Sequence, residues 1–130
     1  MINGNREDEL RELLRITTNI FALVDSERSG ENAKLSPDRE AFWKVCKSVG
    51  IDCHLTERRS LENYFPAGAI EAVYGQSSAA LGPFESVKSK SNWMKSENWR
   101  IAQAMRREDL AGSDLEKFFE RLQKSVAAAK

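Results

Sequence analysis

Asn19-Ile20-Phe21-Ala22-Leu23-Val24-Asp25-Ser26-Glu27-Arg28-Ser29-Gly30 carries a short, uninterrupted apolar run that stops at an acid–serine–acid turn. A run of that length, bounded by turn residues, predicts a strand buried on both faces, as in a parallel sheet covered by helices. Upstream, Leu10, Leu13 and Leu14 recur at helical spacing with charges on the other face, which predicts a helix from Arg6 to Ile16. Downstream, Ser36 is a good N-cap and Pro37 suits the first helical position. Phe42, Val45, Cys46 and Val49 then follow on one helical face, and Gly50 ends the helix. Ile51-Asp52-Cys53-His54-Leu55 reads as a second strand. Strand, helix, strand within about 35 residues is a βαβ unit, with a right-handed crossover and a parallel sheet expected.

Beyond Leu55 the signals turn helical. Ser60 is placed to cap a short helix that Pro66 interrupts or restarts, and Ala69, Ile70, Val73 and Tyr74 continue it. Gln76 to Pro83 is small, polar and Gly/Pro-punctuated, and reads as a loop. Glu97 to Arg107 reads as helix. Ser113 and Glu116 form a capping box, with Leu115, Phe118, Phe119, Leu122 and Val126 on one face of a last helix. The terminal Ala-Ala-Ala-Lys is expected to fray. The fold class expected is α/β: one domain over residues 1–130, with a small parallel sheet flanked by helices and a helical C-terminal part.

The 130 residues, 41% hydrophobic and 31% charged, suffice for one core and not a second. No apolar run approaches the roughly 18 residues of a membrane span. The start, Met1-Ile2-Asn3-Gly4-Asn5-Arg6, lacks a signal-peptide core, so a cytoplasmic location without membrane contact is expected. Twenty basic residues balance 20 acidic ones, so overall charge does not point to nucleic acid. Locally, however, Lys88, Lys90, Lys95, Arg100, Arg106 and Arg107 face one acid, Glu97, with Trp93 and Trp99 set among them. That is either a basic binding segment or a solvated face around two core aromatics. Cys46 and Cys53 form no CxxC pair and have no Cys/His cluster around them, so zinc is not expected and both read as core. A disulfide would be out of place in the cytosol.

The chemistry-bearing residues follow the strands. Side chains at the carboxyl ends of parallel strands face the crevice where open α/β sheets bind ligands. In extended backbone, positions i and i+2 share a side, so Asp25 and Glu27 are expected to converge. A divalent cation relieves the repulsion between two such carboxylates, and hard oxygens suit Mg²⁺, Mn²⁺ or Ca²⁺. Acidic residues also follow strands simply because loops are polar. Glu57-Arg58-Arg59-Ser60-Leu61-Glu62-Asn63-Tyr64 follows the second strand. If the strands are neighbours, Glu62 opens onto the same edge, and Arg58 or Arg59 is placed to hold a phosphate. The plainer alternative is a surface helix with an Arg58–Glu62 pair. His54 reads as structural rather than as a general base, and Tyr64 and Phe65 as core.

Two of these runs resemble a known family. Ile20-Phe21-Ala22-Leu23-Val24-Asp25-Ser26-Glu27-Arg28 resembles the D-x-D strand end of Toprim domains. Leu55-Thr56-Glu57-Arg58-Arg59-Ser60-Leu61-Glu62-Asn63-Tyr64-Phe65 resembles the R-x-I-E-N-Y-L segment of the OLD-family (overcoming lysogenization defect) ATP-dependent endonucleases. Order and separation match as well, over Asn3 to Leu122. The resemblance implies a Toprim fold and DNA cleavage dependent on Mg²⁺ or Mn²⁺. It implies Asp25, Glu27 and Glu62 as metal ligands and catalytic acids, and Lys95 as the assisting lysine. Two departures accompany it. The second acid of D-x-D is glutamate here, and no E-G-x-x-D/E segment precedes Asp25. The chain is therefore expected to be a fragment or a shortened relative, with an incomplete active site, metal binding and weak or no cleavage. DNA, an ATPase module or a second copy of the chain are the partners implied.

Two rival readings stand beside this one. The first is a non-catalytic Toprim-like interaction or oligomerisation module, favoured by a sheet edge left open. The second is a plain α/β domain without metal. The sequence has no P-loop, G-x-G-x-x-G, G-x-S-x-G or H-E-x-x-H motif, so ATP binding by this chain alone is not expected.

Overall fold

The computed structural model describes residues 4–75, 79–90 and 92–128. Residues 76–78 of the expected loop, residues 1–3 of the polar start and the last two of the Ala-Ala-Ala-Lys run lie outside this set.

Helix α1 spans Gly4–Ile16, strand β1 Phe21–Val24, helix α2 Pro37–Val49 and strand β2 Asp52–Leu55. The two strands pair in parallel, Phe21 opposite Asp52 and Val24 opposite Leu55. The expected βαβ unit is thus present, and it supplies the two-stranded sheet found among the described residues. The ends of α2 form as the sequence predicts. Ser36 Oγ accepts the Arg39 N–H at 3.3 Å, and Pro37 opens the helix. Gly50 takes a left-handed φ of 86°, which a side chain would strain. Its N–H and that of Ile51 return to the carbonyls of Lys47 and Cys46, closing a Schellman motif that turns the chain into β2.

All four residues of β1 are half-buried rather than fully buried, so the expected burial on both faces is realised only in part. The absence of alternation has a clear cause, because each face of the pair is covered by one helix. Phe21 and His54, on one face, meet Phe118 of helix α5 (Asp114–Ala128) at ring distances of 6.1 and 5.5 Å. Asp52, on that same face, receives two hydrogen bonds from Arg121. Helix α2 packs on the opposite face, where Cys46 is fully buried and both cysteines are free thiols.

A helical core lies beyond β2. The segment after Ser60 is a 3₁₀ turn over Leu61–Tyr64, and Pro66 restarts the chain as helix α3, Ala67–Tyr74. Helix α4, Asn98–Ala104, packs against α3 through Ala69, Ile70 and Ile101, with Phe65, Trp93 and Met105 closing around them. The helix expected over 97–107 stops at Ala104, and Arg107–Leu110 forms a separate 3₁₀ turn. The expected capping box of α5 is half formed. Ser113 Oγ accepts the Glu116 N–H, but Glu116 reaches back to the N–H of Gly112 instead of Ser113. On the predicted apolar face of α5, Leu115 and Phe118 are buried while Phe119 and Val126 are exposed. No helix among the described residues is long and apolar enough to cross a membrane.

Candidate functional site

The parallel pairing places the residues after Val24 and Leu55 side by side, and a buried hydroxyl network locks them. Thr56, fully buried, accepts the Ser26 N–H at 2.9 Å and donates to the Arg58 carbonyl at 2.7 Å. Ser26 Oγ donates to the same carbonyl at 2.9 Å. This interlock fixes the two strand ends, and it was not legible as such, because its partners lie 30 residues apart.

Asp25 projects from β1 onto the 3₁₀ turn, where its Oδ1 accepts the Leu61 N–H at 2.9 Å. The next residue, Glu62, is 3% exposed, so its carboxylate is held inside the fold. Asn98 donates to Glu62 Oε1 at 3.2 Å, and the Lys95 ammonium lies 3.6 Å from the same oxygen. Burial pushes the Asp25 carboxyl above its usual range. The Leu61 N–H and Lys95 oppose that rise, and the charges of Glu62 and Glu27 add to it. Burial acts on Glu62 in the same sense, but hydrogen bonds to its carboxylate, including those of Ser60 and Asn98, together with Lys95, hold it below the usual range. The charges of Asp25, Glu62 and Lys95 thus act on one another.

Glu27 is placed differently from expectation. Its φ of 57° is left-handed, so the alternation of an extended strand, which put it beside Asp25, does not reach it. Its N–H donates to the Arg59 carbonyl at 2.8 Å, and its exposed carboxylate stands 3.8 Å from the Arg59 guanidinium. It contributes charge near Asp25 without converging on it. Among the described residues, no group of three His, Cys, Asp or Glu side chains is arranged to hold a metal ion.

Both candidate phosphate-binding arginines are engaged within the chain. Arg58 donates to the Asn63 carbonyl at 2.8 Å and lies over the Tyr64 ring. Arg59 donates to the Phe84 carbonyl at 3.3 Å in addition to facing Glu27. The alternative Arg58–Glu62 pair does not form, since the intervening turn is 3₁₀ and Glu62 points to Lys95 and Asn98 instead.

The remaining residues of this segment hold it in place. Asn63, 1% exposed, accepts from the Ser60 N–H and hydroxyl and donates to the carbonyls of Gly82 and Glu85. Tyr64 is buried, as expected, and donates to Asp114 Oδ1 at 2.6 Å, while His54 and the Glu57 N–H meet Oδ2. Burial acts to raise the Asp114 carboxyl, but the bonds from Tyr64, the Glu57 N–H and His54 outweigh it and hold it low. His54 is thus a structural partner of α5, in agreement with its expected role. Asp114 and Asn98 escaped the sequence reading. The first looked like an ordinary acid in the first turn of a helix, and the second carried no signal beyond its place in the basic segment.

That segment is also mixed in character. Trp93 packs against Phe65 and Tyr74 and donates to Asn98 Oδ1, whereas Trp99 is 60% exposed. The alternative of two core aromatics is thus met by Trp93 and not by Trp99. No family model, curated protein or solved structure matches the chain.

Proposed function

We propose that this chain is a divalent-metal-binding, Toprim-like nuclease domain acting on DNA phosphodiesters. The observation that carries the reading is that Asp25, at the carboxyl end of a parallel strand pair, bonds the residue next to the buried Glu62 and feels its charge, with a lysine ammonium 3.6 Å from Glu62. Ser60, Asn98 and Lys95 keep the buried Glu62 carboxylate ionised, the form in which it can bind a cation. Hard carboxylate oxygens fit Mg²⁺ or Mn²⁺, and Mg²⁺ is commonly held by one or two carboxylates with waters completing its shell. Two acids therefore suffice in kind, with Glu27 supplying charge nearby. Asp25 retains Oδ2 outside its bond to Leu61. Lys95, its side chain 59% exposed, lies where positive charge is most favoured and is long enough to yield that place and neutralise a phosphate. A bound cation would polarise the phosphate and lower the pKa of an attacking water.

A supercoiled-plasmid nicking assay tests the proposal. Slow Mn²⁺-dependent nicking by the wild-type chain, lost in both Asp25→Asn and Glu62→Gln, is the expected result. Nicking that survives both substitutions, or its absence at saturating Mn²⁺, would overturn the nuclease assignment.

A further inference from the structure

An apolar cleft of about 460 Å³ opens beside the acid pair, within the size range of small-molecule sites. Leu23, Leu61, Trp99 and Phe119 line it, and Arg106 and Arg107 add positive charge to its wall. Leu61, Trp99 and Phe119 remain substantially exposed, so the chain does not fill this space itself. Lys90, Lys95 and Arg100 are each within reach of a carboxylate, whereas Arg106 and Arg107 form no ion pair among the described residues. Two of its lining residues hydrogen-bond the acids of the site described above. The Leu61 N–H binds Asp25, and Asn98, another lining residue, binds Glu62.

We infer that this cleft receives an unpaired nucleobase of single-stranded DNA, stacked on Trp99, with the flanking phosphates held by Arg106 and Arg107. The inference rests on the DNA reading above and specifies the form of the strand. A flat aromatic face plus cationic groups is the chemistry by which proteins hold single strands, since every base has a π-face and every linkage a charge. Bases of an intact duplex are stacked on one another and offer no free face to a concave apolar site. A base seated here lies against Leu61 and Asn98, the residues that hydrogen-bond Asp25 and Glu62.

Fluorescence anisotropy with labelled oligothymidine of about 12 nucleotides, in EDTA so that no divalent cation contributes, tests this. The comparison strands are an abasic strand of equal length and a duplex. Oligothymidine should bind about tenfold more tightly than the abasic strand, and Trp99→Ala should erase that difference while Trp99→Phe preserves most of it. Trp99 is exposed enough for both variants to fold, which circular dichroism checks. Equal binding of the abasic strand, tighter binding of the duplex, or indifference to Trp99→Ala would overturn the inference. So would laurate binding without oligothymidine binding, which assigns the cleft to an apolar acid. Trp99-dependent self-association in sedimentation, in place of strand binding, would give the face to a second copy and also overturn it. Because the readout requires neither metal nor cleavage, it can fail while Mn²⁺-dependent nicking persists, and succeed where nicking fails.

Discussion

At the scale of single residues, the two acids of the site differ: the partners of Glu62 favour its charge, while burial works against that of Asp25. Asp25 is raised, chiefly by burial, so its ionised form weakens the fold. That penalty is present above the folded pKa and disappears as pH falls below the ordinary carboxylate value. Asp25→Asn keeps an oxygen for the Leu61 N–H and removes the charge. In metal-free solution at pH 7 it should therefore melt a few degrees above the wild type, with the gap closing in acid. Saturating Mg²⁺ should reverse the order, since a ligand bound by the native state alone stabilises it. Equal melting curves at both pH values would contradict the assignment of Asp25 as the strained acid. Glu27 carries a different tension, a left-handed backbone on a residue with a side chain. Glu27→Gly should stabilise the fold by about 1 kcal/mol in denaturant unfolding, and a loss of stability would mean that its contact with Arg59 outweighs the strain.

At the scale of elements, the 3₁₀ turn over Leu61–Tyr64 is what delivers Glu62 to the site, and it is held by buried polar contacts rather than by apolar packing. Tyr64 is the hinge of that arrangement, because its hydroxyl donates to Asp114 and accepts the Arg58 N–H. Tyr64→Phe leaves both partners short of a bond inside the protein and should cost about 1–3 kcal/mol in denaturant unfolding. The Asp114 carboxyl is held low in the fold, so the stability it contributes is present above the unfolded pKa and is lost as pH falls through the folded one. Tyr64→Phe should therefore also shrink the acid dependence of stability. Helix α2 and both strands were legible because each carries its own punctuation, Ser36-Pro37 at one end and Gly50 at the other. The turn was less legible because its length and type are set by partners distant in sequence, Asp25, Gly82, Glu85 and Asp114, and no local period records them.

At the scale of the whole molecule, a sheet between α2 and α5 presents its carboxyl end to a helical core, and the candidate site lies where the two meet. The α/β class and the parallel pairing followed from the strand–helix–strand order, whereas the place of Glu62 stayed open between the strand edge and a surface helix. The position of Glu27 did not follow, because one left-handed residue cancels the alternation on which that expectation relied. Lys95 was named through the resemblance alone, because its contact with Glu62 is created only by folding. The exposed face of α5 and Trp99 likewise depended on how far each helix is covered, which spacing alone does not fix. The central claim is that Asp25 and Glu62 together hold a divalent cation. Calorimetric titration of Mg²⁺ into the folded chain at pH 7, without nucleic acid, tests it most directly. Saturable binding that vanishes in Asp25→Asn and in Glu62→Gln is expected, and either an absence of saturable binding or binding unchanged in both variants would contradict it.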